Sequence, residues 1–146
     1  MAQLTQGYEA FERPGLVVAY KTAATRIFKG ALVGLNTSGY AVPMAHGTAS
    51  LKFVGVANET VDNLAGAAGD KQITVTKTGS FVFKPASGFS PAVADLGKEA
   101  YVNTDWEVQV VTTGLTNNYK IGTLVALETS SAGFAGVRVR IDNYSV

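Results

Sequence analysis

The feature that most constrains this chain is a two-residue alternation of apolar and small polar side chains, interrupted at short intervals by glycine. It is clearest after Gly55, in Ile73-Thr74-Val75-Thr76, and in the segment from Ser80 to Lys84. Successive side chains of a strand point to opposite sides of a sheet, so each segment has one side for a core and one for solvent or a partner. The pattern predicts a chain that is β-sheet almost throughout.

Composition favours the same fold class. Glycine accounts for 16 of the 146 residues, or about 11%, against a usual share of about 7%. Charged residues account for 16%, against a usual share of about 25%. High glycine suits a fold rich in turns, and low charge suits a protein that covers much of its exterior with neighbours, because soluble monomers are helped by surface charge. The length fits one domain, which buries roughly two thirds of its unfolded surface.

The charge pattern argues against nucleic acid as a partner. Twelve basic and 11 acidic residues are scattered, without a run of like charges. No apolar stretch approaches the roughly 20 residues that span a bilayer, so we expect no membrane partner. The absence of cysteine excludes disulfides and thiolate metal sites. The first seven residues lack the features of a signal peptide, which predicts synthesis in a cytoplasm.

Residues 1–15 and 16–146 differ in pattern. The first segment is polar, contains Tyr8, Phe11, Arg13 and Pro14, and shows neither a strand nor a helix period. We interpret it as an extended N-terminal arm that contacts a partner or its own domain. Residues 16–146 form the β-rich domain.

Within that domain, the first predicted strand, at residues 16–20, is apolar enough to be buried on both faces, and the next strand is predicted at residues 30–35. The second opens a hairpin that ends at Pro43. In residues 52–61, Phe53 and Gly55 alternate with Val54 and Val56. Thr78-Gly79 is either a hairpin turn or a bulge that bends one long strand.

Further along, Phe81 and Phe83 face the core together, and residues 92–96 hold at most one helical turn. Strands follow at residues 99–103, 108–111, 121–128 and 134–142. Strand signals every eight to twelve residues predict an all-β, single-domain β-sandwich or small β-barrel.

The chain offers little that resembles catalytic or metal chemistry. The single histidine, His46, lies in a predicted loop, and we interpret it as a surface residue. The Gly66-Ala67-Ala68-Gly69-Asp70 segment precedes a strand, whereas a phosphate loop precedes a helix, so we interpret it as a flexible connection. We expect no enzymatic activity, no cofactor, no metal and no catalytic residue.

Four acidic residues lie close together in the sequence, but they lack the spacing of a calcium loop, so we interpret them as solvated loop residues. They are Asp95, Glu99, Asp105 and Glu107.

Three residues of the domain are candidate contacts. Trp106 lies in a turn-like position and is either a lid on the core or an exposed contact. Arg138 and Arg140 share one face of the last strand, opposite Val137, Val139 and Ile141, where they meet solvent or an acidic neighbour. We predict that these three, with the four arm residues named above, contact a capsid or another subunit.

Six short motifs occur in order between residues 16 and 142. They are Gly55-Val56-Ala57, the Ala67-Ala68-Gly69-Asp70 loop, Ile73-Thr74-Val75, Gly79 with Phe81 and Phe83, the run Leu96-Gly97-Lys98-Glu99-Ala100-Tyr101-Val102, and Lys120-Ile121-Gly122. In this order they resemble the capsid cement, or head decoration, proteins of tailed bacteriophages. The polar arm departs from the compact pattern of that family.

The resemblance implies a small β-rich structural protein on the exterior of a virion. Such a protein binds the major capsid protein of an expanded head, often as a homotrimer, and bridges capsomers against internal pressure. The family supplies no catalytic residues. Two alternatives remain open: a carbohydrate-binding or adhesin-like β-sandwich that uses Trp106, Tyr101 and Tyr119, or another phage structural subunit such as a tail-tube protein.

Overall fold

Twelve β-strands and a single 3-10 turn form the regular structure of the described part of the chain. The computed structural model describes residue 6, residues 16–129 and residues 133–143. In chain order the strands are β1 (Val17–Lys21), β2 (Arg26–Ile27), β3 (Leu32–Leu35), β4 (Ala41–Pro43), β5 (Lys52–Ala57), β6 (Val61–Asp62), β7 (Gln72–Thr76), β8 (Thr78–Pro85), β9 (Glu99–Val102), β10 (Glu107–Gln109), β11 (Lys120–Thr129) and β12 (Ala135–Asp142). The 3-10 turn, Val93–Asp95, lies within the segment predicted to hold a helical turn. The all-β fold class is therefore confirmed.

Five strands form an antiparallel sheet in the order β1-β7-β5-β3-β4. The predicted hairpin is the β3–β4 pair, and Asn36 closes its turn by accepting the backbone N–H groups of Ser38 and Tyr40, each at 3.0 Å. Just after β1, Thr22 forms a parallel bridge with Ala41 of β4. The sheet therefore curls until its two edge strands meet at one end.

Five further strands close into a barrel in the order β10-β8-β12-β11-β9, with β9 pairing back onto β10. Strands β8 and β10 run parallel, and the remaining neighbours are antiparallel. Closure removes the unpaired sheet edges that an open sheet exposes. Of the two predicted architectures, the structure has the small barrel, joined to a curled sheet.

Apolar side chains cover the curled sheet on both sides. Leu32 and Val56 join the barrel interior in a first core cluster, while Val33 and Val54 belong to a second cluster, which contains Ile73 and Val75 of β7. Because Leu32 and Val33 are consecutive and both are buried, β3 is buried on both faces. Barrel and sheet share one cluster and so pack as one unit.

A bulge in β5 changes the alternation predicted there. Opposite β3, the pairing passes from Gly55 directly to Phe53, so Val54 has no residue opposite it. As a consequence Val54 and Val56 lie in different core clusters, and the prediction that they share a face is wrong. Gly55 makes this possible with a φ of 148°, and a Cβ there would overlap the carbonyl oxygen of Thr76.

The prediction that the first strand is buried on both faces is also wrong. In β1, Val17, Ala19 and Lys21 are exposed, whereas Val18 and Tyr20 are partly buried. The physical reason is its position at the edge of the curled sheet, where only one face covers a core. A run of apolar residues therefore indicated burial that the tertiary structure does not provide.

Between β7 and β8 the chain passes from the curled sheet to the barrel. Strand β7 pairs with β1 and β5, whereas β8 pairs with β12 and β10, so the two do not form a hairpin. Of the two predicted alternatives at Thr78-Gly79, the structure has the bend, with a φ of 139° at Gly79. The short strands β2 and β6, which pair with each other, were not predicted.

The barrel strands follow the predicted alternation. Phe83 is buried, Phe81 packs on the same cluster, and their ring centroids lie 6.4 Å apart. In β12 the three residues predicted to face the core are fully buried, and Arg138 and Arg140 lie on the opposite face. Val137, Val139 and Ile141 belong to the same core cluster as Phe83. The predicted arm lies outside the described residues, with the exception of Gln6.

Candidate functional site

An open cleft lined by three aromatic rings is the candidate site of this protein. Phe28, between β2 and β3, is 55% exposed, and Trp106, between β9 and β10, is 45% exposed. Phe134, just before β12, meets the Trp106 ring edge to face at a centroid distance of 5.8 Å. The cleft has a volume of about 450 Å³, and Val82 of β8 also lines it. We call these residues the aromatic cleft.

Hydrogen bonds at the start of β10 hold Trp106 in place. The Thr104 hydroxyl accepts the backbone N–H of Glu107 at 3.2 Å and that of Trp106 at 3.5 Å. The Trp106 carbonyl accepts the backbone N–H of Lys84 at 3.1 Å. Because the Trp106 side chain is exposed, it is not a lid on the core.

Two lysines give the aromatic cleft positive charge. The Lys84 Nζ atom lies 4.8 Å from the centroid of the Trp106 ring, within the range of a cation–π contact. Lys29 follows Phe28 and lines the cleft. Neither lysine forms an ion pair with a described carboxylate. The cleft thus combines exposed rings with ammonium groups that are available to an anionic partner.

Asp105 is the carboxylate that lines the aromatic cleft among the described residues. Burial raises the pKa of the Asp105 carboxyl above its ordinary value, and the negative charge of Glu107 raises this pKa further. The Asp105 carbonyl accepts the N–H of Leu32 at 2.7 Å and so ties this loop to the curled sheet. The cleft therefore lies where the barrel and the sheet meet.

The structure separates the two candidate arginines. Arg138 lies opposite Val82, which lines the aromatic cleft, and its guanidinium is 3.5 Å from the Glu128 carboxylate. Its Nε atom is buried without a hydrogen-bond partner. Arg140 instead lines a second cavity of about 380 Å³ with Lys120 and Asp142. Arg138 thus adjoins the Trp106 site, and Arg140 belongs to another part of the barrel surface.

The four remaining predicted contact residues lie outside the described residues. They are Tyr8, Phe11, Arg13 and Pro14.

The two tyrosines of the carbohydrate alternative do not join Trp106. The Tyr119 hydroxyl donates to the Thr48 carbonyl at 2.6 Å and accepts the Leu51 N–H at 3.1 Å, and its ring packs on the barrel core. The Tyr101 hydroxyl donates to Glu99. Neither residue lines the aromatic cleft, so a three-residue platform of the predicted composition is not formed.

The single histidine connects two loops. The His46 Nδ1 atom accepts the N–H of Thr116 at 3.1 Å, and the His46 carbonyl accepts both the backbone and side-chain N–H groups of Asn117. The residue is partly exposed, and its ring lies at the surface where these two loops meet. Its contacts are those of a residue that joins the loop after β4 to the loop before β11.

Hydrogen bonds secure the glycine-rich loop at several points. Asn63, which is 1% exposed, donates from Nδ2 to the carbonyls of Ala23 and Ala67 at 3.0 and 2.9 Å. The Asp70 carboxylate accepts the Ala67 N–H at 2.8 Å. The polar groups of the loop thus bind the loop itself and its neighbours. The loop connects β6 to β7, the strand predicted to follow it.

The predicted acidic group does not converge. Asp95 pairs with Lys98 and Glu99 with Lys120, at 2.9 and 2.8 Å. These two carboxyls have pKa values below the ordinary range, mainly because the two lysines donate hydrogen bonds to them. Among the described residues, no three His, Asp or Glu side chains come together in a way that could hold a metal ion.

Sequence reasoning missed Phe28, Phe134 and Lys84 as members of a site with Trp106. Only one signal was available: Phe28, Trp106 and Phe134 each stand next to a glycine or a charged residue, in predicted loops or strand ends where burial is incomplete.

No described helix is long and apolar enough to cross a membrane. A scan against protein-family models and searches of curated proteins and solved structures found no match to this chain.

Proposed function

We propose that this protein is a head decoration protein of a tailed bacteriophage, a non-catalytic component that binds the outside of an expanded capsid. It would bind the major capsid protein, assemble as a homotrimer and bridge neighbouring capsomers. The observation that carries the proposal is the ordered set of six motifs in which the chain resembles the cement proteins.

The positions of those motifs in the fold support the resemblance. The motif at Gly55 forms the bulge of the curled sheet, and the motif at Gly79 forms the passage into the barrel. At Gly122, where β11 lies against β12, a Cβ would overlap the carbonyl oxygen of Arg140. Ala100 of β9 is fully buried in the barrel. Four of the six motifs thus contain a glycine or alanine at a position where this fold leaves little room for a larger side chain or needs an unusual backbone angle.

The aromatic cleft supports a role in protein contacts. Exposed tryptophan and phenylalanine side chains are enriched at interfaces, where a few aromatic anchors supply most of the binding free energy. On a capsid the same contact recurs many times, so a cleft of this size is sufficient when several copies bind together.

A binding experiment with capsids tests the proposal. Purified protein is mixed with expanded heads that lack decoration, and electron cryo-microscopy is used to look for added density at three-fold and quasi-three-fold positions. We expect such density and a higher temperature of capsid disruption. The variant Trp106→Ala should weaken binding, whereas Val93→Ala, a change at an exposed residue of the 3-10 turn, should not. Absence of density across salt and pH would refute the proposal.

The aromatic cleft also gives a reason to test the carbohydrate-binding alternative. An exposed indole beside the Asp105 carboxylate is an arrangement on which a sugar ring can stack and form a hydrogen bond. A glycan array with the wild-type chain and Trp106→Ala decides this. A signal that the variant loses would favour glycan binding, and a blank array leaves the decoration proposal as the function with support.

A further inference from the structure

The aromatic cleft has features that match one segment of the chain itself. Residues 8–12 read Tyr8-Glu9-Ala10-Phe11-Glu12, with two aromatic rings three positions apart and a carboxylate after each ring. The cleft presents exposed aromatic rings together with the ammonium groups of Lys29 and Lys84. Rings can pack on rings while the carboxylates meet the lysines, so both the apolar and the charged parts are complementary.

The next residue of the segment extends this match. Arg13 follows Glu12 in the sequence, and Asp105 is the acid that lines the cleft among the described residues. A guanidinium beside Asp105 would favour the ionised carboxylate and offset part of its cost of burial.

The segment is attached close enough to reach this site. The sheet pairs Val17 with Thr76, Thr76 with Val56, and Val56 with Leu32, and the Leu32 N–H donates to the Asp105 carbonyl. Three strand spacings of about 4.8 Å place Leu32 roughly 14 Å from Val17.

Phe11 stands six residues before Val17, and an extended chain covers about 3.3 Å per residue, or roughly 20 Å in total. Tyr8 has a longer reach. The segment can therefore arrive at the cleft of its own chain without strain in the linker, and its high effective concentration favours that cleft over the cleft of another copy.

We propose that residues 8–12 bind in the aromatic cleft of the same chain, with Tyr8 and Phe11 against Phe28 and Trp106 and with Glu9 and Glu12 near Lys29 and Lys84. In the isolated chain the segment then occupies the aromatic cleft, and a capsid that binds through the same rings must displace it. This inference does not depend on the proposed function, since it concerns the isolated chain.

Trp106 reports directly on this contact because it is the only tryptophan of the chain. Fluorescence of the full chain is compared with that of a chain lacking residues 1–15 and with the variant Tyr8→Ala/Phe11→Ala. We expect both changes to shift the emission of Trp106 to longer wavelength and to increase its quenching by acrylamide. The control Gln3→Ala/Gln6→Ala, which alters the arm outside the segment, should leave both readings unchanged.

Two controls keep the result independent of misfolding. Far-UV circular dichroism should be the same for all variants. Addition of a peptide of residues 1–15 to the shortened chain should restore the original emission, and the same peptide with both aromatic residues replaced by alanine should not. Unchanged emission and quenching after removal of the arm would overturn the proposal.

Disulfide trapping distinguishes the chain's own cleft from that of a second copy. The chain has no native cysteine, so Ala10→Cys/Lys29→Cys introduces the only pair that can form a disulfide. The variant is prepared with and without ¹⁵N, the two preparations are mixed before oxidation, and the linked peptides are analysed by mass spectrometry. Linked peptides of uniform isotope content support the proposal. Peptides of mixed content, or none, would contradict it.

Discussion

The Lys84 Nζ atom lies 4.8 Å from the centroid of the Trp106 indole, and the Lys84 backbone N–H donates to the Trp106 carbonyl at 3.1 Å. Strand β8 therefore contacts Trp106 at two points, by a hydrogen bond to its backbone carbonyl and by a cation over its ring. The Phe134 ring packs edge to face against the indole. An exposed aromatic residue is in this way kept in one orientation before any partner binds.

Replacement of Lys84 should reveal the cation–π contact. Lys84→Met keeps most of the apolar stem and removes the ammonium, which should lower the free energy of unfolding by about 0.5–1 kcal/mol and alter the Trp106 emission. Urea unfolding monitored by fluorescence measures both. Lys52→Met is the matched control, because Lys52 is an exposed strand residue on β5. Equal effects of the two changes would contradict the assignment.

Gly122 should not tolerate a side chain. A Cβ there would overlap the Arg140 carbonyl oxygen between β11 and β12, so Gly122→Ala must push the two strands apart or distort the barrel. We expect a loss of at least about 1–3 kcal/mol of stability, as for an overpacked interior. Gly47→Ala is the control, since a Cβ at Gly47 meets no atom within 4 Å. Thermal unfolding of the two variants side by side checks this, and a Gly122→Ala variant as stable as the control would be inconsistent with the barrel packing.

The Asn63 side chain should stabilise the glycine-rich loop. Asn63→Ala removes the donor that the carbonyls of Ala23 and Ala67 share at a partly buried site, which should cost about 1–3 kcal/mol. Leu64→Ala changes the next residue, whose side chain is exposed, and should remain within about 0.5 kcal/mol of the parent. Chemical denaturation provides the comparison. A loss at position 64 as large as that at position 63 would argue against this role.

Asp105 should make stability depend on pH. Because burial raises the folded-state pKa of this carboxyl, the folded chain binds its proton more tightly than the unfolded chain does. Stability from this group is greatest at low pH and falls as the pH rises from the ordinary aspartate value of about 3.9 through the raised folded-state pKa.

Asp105→Asn should therefore stabilise the protein at neutral pH, and the advantage should disappear as the pH is lowered towards the unfolded-state pKa. The carboxyl is half-exposed, so we expect a gain of at most about 1 kcal/mol. Unfolding curves across pH measure the gain. In addition, Glu107→Gln should lower the pKa of Asp105 in an NMR titration, because it removes a neighbouring negative charge. A stabilisation that is independent of pH would rule out this explanation.

Much of the fold could be predicted because the evidence for a strand is local. The alternation at Ile73 and Val75, and that of the last strand, placed those residues on a buried face, and they are fully buried. Errors arose where a neighbour decides the outcome. The apolar run that became β1 is exposed on one face because the sheet ends there. At Gly55 a bulge, imposed by the pairing with β3, moved Val54 and Val56 to different clusters.

The sequence by itself determined that the chain is β-structured, where most of its strands lie, and which side chains of β7 and the barrel strands β8 and β12 face a core, because a two-residue period is a property of neighbouring residues. Only the tertiary structure decided which strands pair, that five of them close into a barrel, and that Phe28, Trp106 and Phe134 meet. Those three rings are separated by 28 residues or more in the chain, and no local pattern encodes contacts over such distances. They come together because β8, β12 and the loop before β10 lie side by side on the barrel surface next to the curled sheet.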